Sequence, residues 1–257
     1  MLTNFTFWID KMAKKTKKSA PGKENSKSIV RLKTGVKGFD ELVDGGIPQG
    51  SFVLLSGATG TGKSIFGMNF LAYGANNDEQ GIYISLEEGY SSNKTQMNQF
   101  GWNLDELQKN KKLLILQPKI YDFDKLVESI QDSIVALGAK RVVIDSISVL
   151  DLYFEDKFKT RRNILDLAKT MKNMGVTTIA ICEIDEASMQ ISRDGVEEFV
   201  SDGVIVMLLD KRDNFLKRAI SIRKMRATNH SLKIHPVQIK KPTGIIIYPF
   251  EETFEQF

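Results

Sequence analysis

The sequence predicts an α/β fold: a mostly parallel central sheet flanked by helices, closed by an antiparallel hairpin extension near the C-terminus. Three observations predict it. Short, nearly continuous apolar runs recur at residues 51–56, 81–86, 113–116, 141–145 and 176–181. Strands apolar at almost every position need cover on both faces, which a parallel sheet with crossover helices supplies. Between these runs lie segments with apolar residues at helical spacing, as in Ile164, Leu165, Ala168, Met171 and Met174. Finally, the loop Gly57-Ala58-Thr59-Gly60-Thr61-Gly62-Lys63-Ser64 follows the first run and opens a helix, the strand–loop–helix setting of a phosphate-binding loop.

In chain order, residues 35–43 read as a short helix, and residues 44–50 as turn chemistry feeding the first core strand. Helices are expected near 91–100 and 104–109, from 123 to 137 and from 158 to 174, the last stopped by Gly175. After Asp202 the pattern changes. Residues 203–209, 216–225 and 244–248 read as strands with no helix between them, hence the hairpin extension.

Composition sets the boundaries. A chain of 257 residues, 42% hydrophobic and 26% charged, suits one large domain over residues 29–257. The net charge of +4 belongs to one end: residues 1–28 hold seven lysines against Asp10 and Glu24, so the body is near neutral. That lysine- and serine-rich segment is expected to be a disordered basic tail. No run of apolar residues is long enough to span a membrane. The only cysteine, Cys182, follows an apolar strand and reads as a buried thiol of a cytoplasmic protein.

The glycines of the loop allow successive backbone N–H groups to turn inward around phosphate oxygens, and the helix start adds its positive dipole end. Gly57, Thr59, Gly60, Thr61, Gly62, Lys63, Ser64 and Ile65 form the expected nucleotide-binding set. Lys63 reaches the β and γ phosphates and Ser64 ligates Mg²⁺. Asp145 ends a core strand, facing the crevice where α/β proteins bind ligands, and is the second expected magnesium residue. Glu87 and Glu88 follow another core strand, from which a base could activate water for attack on the γ-phosphate. Lys224 and Arg226 share one face of a late strand, and two such cations suit a polyphosphate.

Several segments together resemble the KaiC-like branch of the RecA-fold ATPases. They are Gly35-Val36-Lys37-Gly38-Phe39-Asp40 with Gly45-Gly46-Ile47-Pro48, the phosphate loop, Leu86-Glu87-Glu88, Phe100-Gly101-Trp102 and Val143-Ile144-Asp145-Ser146. Later come residues 195–202 and Lys224-Met225-Arg226-Ala227-Thr228-Asn229-His230. The resemblance covers nearly all of the body. It implies an ATP-binding, ATP-hydrolysing protein with a RecA-like sheet, Glu87 as catalytic base and Glu88 beside it. It also implies a homo-hexameric ring with nucleotide between neighbours, where Lys224 and Arg226 of one subunit reach the nucleotide of the next. Met225, Thr228 and His230 match nucleotide-contacting positions of that segment. Two departures stand out: Ala227 replaces a usual glycine, and Lys240-Lys241 falls where a nucleotide-contacting Thr-Asp pair aligns. The chain resembles the hydrolytic half of the two-domain clock protein, and no self-phosphorylation is expected.

Three functions follow: a slow regulatory ATPase ring, with a regulatory protein partner, a DNA-binding recombinase-like ATPase, or a FlaH-like nucleotide-binding regulator with little turnover. Residues 183–198 carry Glu183, Asp185, Glu186, Asp194, Glu197 and Glu198 against Arg193, which disfavours DNA on the loops a recombinase uses. Nucleic acid is expected only weakly, through the basic tail. The complete set Lys63, Glu87, Asp145, Lys224 and Arg226 favours the ATPase.

Overall fold

The computed structural model describes residues 28–86, 95, 97–118, 122–153, 157–185, 192, 197–212 and 215–250. Among these residues nine strands form one sheet. They are β3 (Phe52–Gly57), β4 (Gly81–Ser85), β5 (Leu113–Leu116), β6 (Arg141–Asp145), β7 (Thr177–Glu183), β8 (Gly203–Arg212), β9 (Phe215–Met225), β10 (Ile234–Lys240) and β11 (Gly244–Ile247). Their spatial order is β11-β10-β9-β8-β3-β7-β6-β4-β5. The six strands from β8 to β5 in that order run parallel, and β8 through β11 pair antiparallel. A two-stranded ribbon, β1 (Arg31–Leu32) with β2 (Ile47–Pro48), stands apart.

Alternate residues of the parallel strands feed two apolar layers, as a pleat of period two requires. Val143 packs with Phe66, Phe70 and Leu71 of α1 (Lys63–Asn76) on one face. Val142 and Ile144 pack on the other face, with Ile130 and Ile134 of α3 (Phe123–Leu137) and with Ile164, Leu167 and Met171 of α5 (Lys157–Asn173). The shorter helices are α2 (Leu104–Lys109), α4 (Leu150–Tyr153) and α6 (Glu197–Val200). Side chains fix the helix starts: Asp122 accepts from the Lys125 amide and Asn103 from the Glu106 amide. At the far end of α3, Gly138 takes φ 66° and the Ala139 amide returns to the Ile134 carbonyl.

The parallel sheet, its helices and the antiparallel extension agree with the sequence expectation. Two differences have physical reasons. The helix expected over 35–43 contracts to a single 3₁₀ turn, Asp40–Val43, because the chain before it is drawn to the sheet. There Lys37 bridges Ile246 in parallel, and the Ile247 amide donates to the Lys37 carbonyl at 2.8 Å, covering the outer side of β11. Strand β10 was not expected, since Pro236 interrupts its apolar pattern and lacks a ladder donor. The strand forms even so, with Pro236 opposite Ala219. The basic tail, apart from residue 28, and half of the helix expected near 91–100 lie outside the described residues.

Candidate functional site

Strand β3 ends at Gly57 in register with Glu183 of β7 on one side and Met207 of β8 on the other. The loop that follows therefore sits where the chain departs from β3 to both sides of the sheet, the place where α/β folds bind ligands. Its backbone is tightly enclosed: a Cβ on Gly57 would collide with the Met207 carbonyl oxygen. Thr61 is fully buried, and its hydroxyl donates to the Ala58 carbonyl at 2.8 Å, so this threonine shapes the loop from inside. Thr59 and Gly60 lie exposed at its tip. Gly62 takes φ 105° immediately before α1, where a glycine carries no Cβ penalty.

Lys63 is 6% exposed and donates to the Ala58 carbonyl at 2.9 Å. Its Nζ also lies 3.5 Å from Glu183 Oε1. Beside it opens a cleft of about 360 Å³, lined by Thr59, Gly60, Gly62, Lys63, Ser64 and Ile65 and walled by Met97, Phe100, Glu183, Arg218 and Ile239. Asp145, at the end of β6, accepts hydrogen bonds from the Tyr83 hydroxyl and from Ser64. Burial pushes its carboxyl above the ordinary range; the bonds from Ser64 and Tyr83 and the Lys63 charge oppose the rise, and Glu183 adds to it. The residues fit a magnesium–polyphosphate. A buried cation lies at a helix start beneath a glycine cradle, and a hydroxyl and a carboxylate offer the hard oxygen donors that Mg²⁺ takes.

Sequence reasoning missed the two charged residues of the cleft wall. Glu183 follows an apolar run and reads as one more loop acid, and only the β3–β7 register places it against Lys63. Arg218 lies on β9 and donates from Nε to the Gly60 carbonyl at 3.0 Å, so the loop already faces one cation of its own chain. Lys240 and Lys241 follow Ile239 on this same side, where Lys241 Nζ contacts Gln99 Oε1, next to Phe100 of the cleft wall. The acid pair Glu87–Glu88 lies outside the described residues.

The late-strand set stands elsewhere. Gly57 is level with Met207 and Met207 with Ile220, whereas Lys224 is level with Val204 and Met225 with Gly203, near the start of β3. From Ile220 to Arg226 is six residues of extended chain, about 20 Å. Lys224, Met225, Arg226, Thr228 and His230 therefore do not join the phosphate loop of their own chain. Lys224 Nζ donates to the carbonyls of Glu198 at 3.0 Å and Ser201 at 2.6 Å, and burial and the Arg226 charge lower its pKa. Arg226 donates to Asp202 Oδ1 at 3.0 Å, and Lys172 shares that oxygen at 2.8 Å. Burial alone would raise Asp202, but these two cations and the Phe52 amide outweigh it and hold its pKa low. Met225 is buried in the core, opposite Gly203 of β8. Thr228 accepts from Arg31 at 2.8 Å, and His230 Nδ1 lies 3.0 Å from the Ser231 carbonyl.

A mostly parallel sheet with a glycine phosphate loop at the end of β3 and a strand-end aspartate beside it defines a P-loop nucleotide-binding protein with a RecA-like core. Comparison with known proteins narrows the class. The family profile described as "ATPase: KaiC" matches residues 32–252, and the chain belongs to that family. A UPF0273 protein of Thermotoga maritima is 37% identical over 240 residues, covering 87% of this chain and 98% of the relative. The circadian clock oscillator protein KaiC of Prochlorococcus marinus is 36% identical over 242 residues, covering 90% of this chain but only 48% of that longer protein. The crystal structure of a KaiC-like protein from Pyrococcus horikoshii superposes with a TM-score of 0.80 at 41% identity, covering 86% of this chain and all of that one. Membership in this family supports an ATP-binding ATPase.

Proposed function

We propose that this protein is a magnesium-dependent ATPase that works as a homo-hexameric ring, with each active site shared between neighbouring subunits. The separation along β9 carries this reading. A chain that holds Lys224 about 13 Å and Arg226 about 20 Å along β9 from the level of its phosphate loop completes a site only against a second copy. Head-to-tail contacts of this kind close into rings.

In the shared site, Lys63 and the loop amides hold the β and γ phosphates, and Arg218 of the same chain steadies the loop at Gly60. Ser64 and Asp145 would hold magnesium, which would supply neutralisation of the phosphate charge. Glu87 takes the proton of the attacking water as its oxygen bonds to the γ-phosphorus, and the bond to the β–γ bridging oxygen breaks, leaving ADP and phosphate. Glu88 lies beside this base. Lys224 and Arg226 from the neighbour stabilise charge on the transferring group, and Thr228 and His230, with Met225 in the same segment, complete that neighbour's contact. The clock-protein relatives support slow turnover that switches a regulatory assembly, with a protein partner to receive the signal. Cytoplasmic location is part of the same reading; among the described residues no helix is long and apolar enough to cross a membrane.

Mixing two inactive variants tests the shared site. Lys63→Ala removes the pocket and keeps the finger, and Arg226→Ala does the reverse. Each alone should be nearly inactive, since finger cations contribute about a thousandfold or more. Joint rings should regain part of the phosphate release, and mixtures that form joint rings yet stay inactive would rule the arrangement out. Separately, Glu87→Gln should keep ATP binding in calorimetry while hydrolysis falls about a hundredfold or more. Greater damage from Glu88→Gln would reverse the two roles.

A further inference from the structure

We propose that Arg31 is a positioning residue for the Lys224–Arg226 finger, acting on hydrolysis in the neighbouring subunit and not on nucleotide binding in its own. The inference rests on the shared-site reading above and adds to it a residue near the start of the folded body. Arg31 lies on the β1–β2 ribbon, with its side chain 15% exposed. Its guanidinium joins that ribbon to the segment following β9. One terminal nitrogen donates to Thr228 Oγ1 at 2.8 Å and to the Gly46 carbonyl at 3.2 Å. The other donates to the Ala227 carbonyl at 2.8 Å and lies 3.7 Å from Asp44 Oδ2. Asp44 in turn accepts from the Asn229 amide at 2.7 Å, and the Leu42 carbonyl accepts from the Ser231 amide at 2.9 Å. Residues 227, 228, 229 and 231 thus lean on Arg31 of the ribbon and on Leu42 and Asp44 of the turn before β2 through four attachments.

The segment needs such support. Ala227 takes φ 56°, a conformation that a residue with a Cβ adopts at a cost. Immediately before it, the Arg226 amide donates to the Asp202 carbonyl at 2.8 Å, and its side chain reaches Asp202 Oδ1. Asp202 therefore anchors the finger on one side and Arg31 on the other, with the strained residue between them. A planar guanidinium with several fixed donors bridges these acceptors at once; a lysine ammonium on its flexible stem does not. All of these partners lie at the end of β9 remote from the phosphate loop, so loss of Arg31 leaves the pocket of the same chain intact.

Mixing assigns the residue to one side of the interface. Arg31→Ala, assembled into rings, should lose at least tenfold in phosphate release. Mixed with Lys63→Ala, it should regain activity, because its own pocket is sound and the partner's finger is sound. Mixed with Arg226→Ala it should stay inactive, since neither variant supplies a working finger. Arg31→Lys, which keeps the charge and guards against a folding failure in the alanine variant, should fall in the same group with an unchanged melting temperature. Wild-type turnover in both variants, or rescue by Arg226→Ala, would overturn the assignment. The mixture of Lys63→Ala with Arg226→Ala is the control. If that mixture stays silent, the shared site itself falls and the role of Arg31 falls with it; if it recovers and only the Arg31 pattern fails, the shared site stands without this brace.

Discussion

Strand β6 begins at Arg141 and ends at Asp145, and the fold treats its two charged ends in opposite ways. Arg141 is 1% exposed and its donors are occupied. Nε donates to Glu79 at 2.6 Å, and one terminal nitrogen reaches the carbonyls of Lys33 at 2.8 Å and Phe70 at 2.9 Å. The other pairs with Glu79, and the group stacks 4.5 Å over the Phe70 ring. Even α1 makes room, since a Cβ on Gly74 would collide with the Arg141 side chain. Asp145 is held by hydroxyls that a ligand could redirect, and burial raises its carboxyl against them. The comparison teaches where this sheet keeps its stability and where it keeps its chemistry. One end is bolted, while the other holds a charge at a cost to the free protein, as functional ends of strands do.

The largest test of that contrast is Arg141→Ala. It strands Glu79 and two carbonyls and opens a cavity, so denaturation should show a loss of about 3–5 kcal/mol. A loss under about 1 kcal/mol would dissolve the comparison. A smaller effect of the other kind is expected one strand away. Glu183 lies 3.5 Å from Lys63 and competes with phosphate for it, so Glu183→Gln should bind metal-free ATP about two- to fivefold more tightly, a modest gain because the carboxylate is half exposed. Calorimetry in the presence of a chelator would check this, and weaker binding would mean that the carboxylate assists the ligand.

The smallest effect on stability should come from Asp145→Asn, and its sign sharpens the contrast. A carboxyl whose folded pKa is raised costs stability once pH climbs above the ordinary value of 3.8, and the cost is complete above the folded pKa. The asparagine variant should thus be as stable as the unaltered protein or up to about 1 kcal/mol more so at neutral pH, with no advantage below pH 3.8. Its magnesium-dependent hydrolysis should be lost all the same. Thermal melts across pH would measure the first property and phosphate release the second.

The sequence made some of these residues legible and hid others for definite reasons. The continuous apolar runs of β3 through β7 mark buried parallel strands, and Asp145 stands out because an acid closes such a run. The phosphate loop is legible because its glycines and Lys63 are consecutive. Arg141 reads as a mere strand boundary, since its partner Glu79 is 62 residues away. Glu183 and Arg218 acquire meaning only from pairing across the sheet: Arg218 and the loop carbonyl it contacts are separated by 158 residues. Lys224 and Arg226 were legible through family resemblance. Their distance from the loop was not, because it depends on the β8–β9 register.

The covered side of β11 and the short opposite strand β5 also limit how this protein can fail. A long sheet whose outer strands were bare would present unpaired amides and carbonyls to other chains and could grow without end. Here Lys37 occupies part of one border, and the other is a four-residue strand entered through Lys111 and Lys112. Strand-by-strand polymerisation is thereby discouraged at both borders.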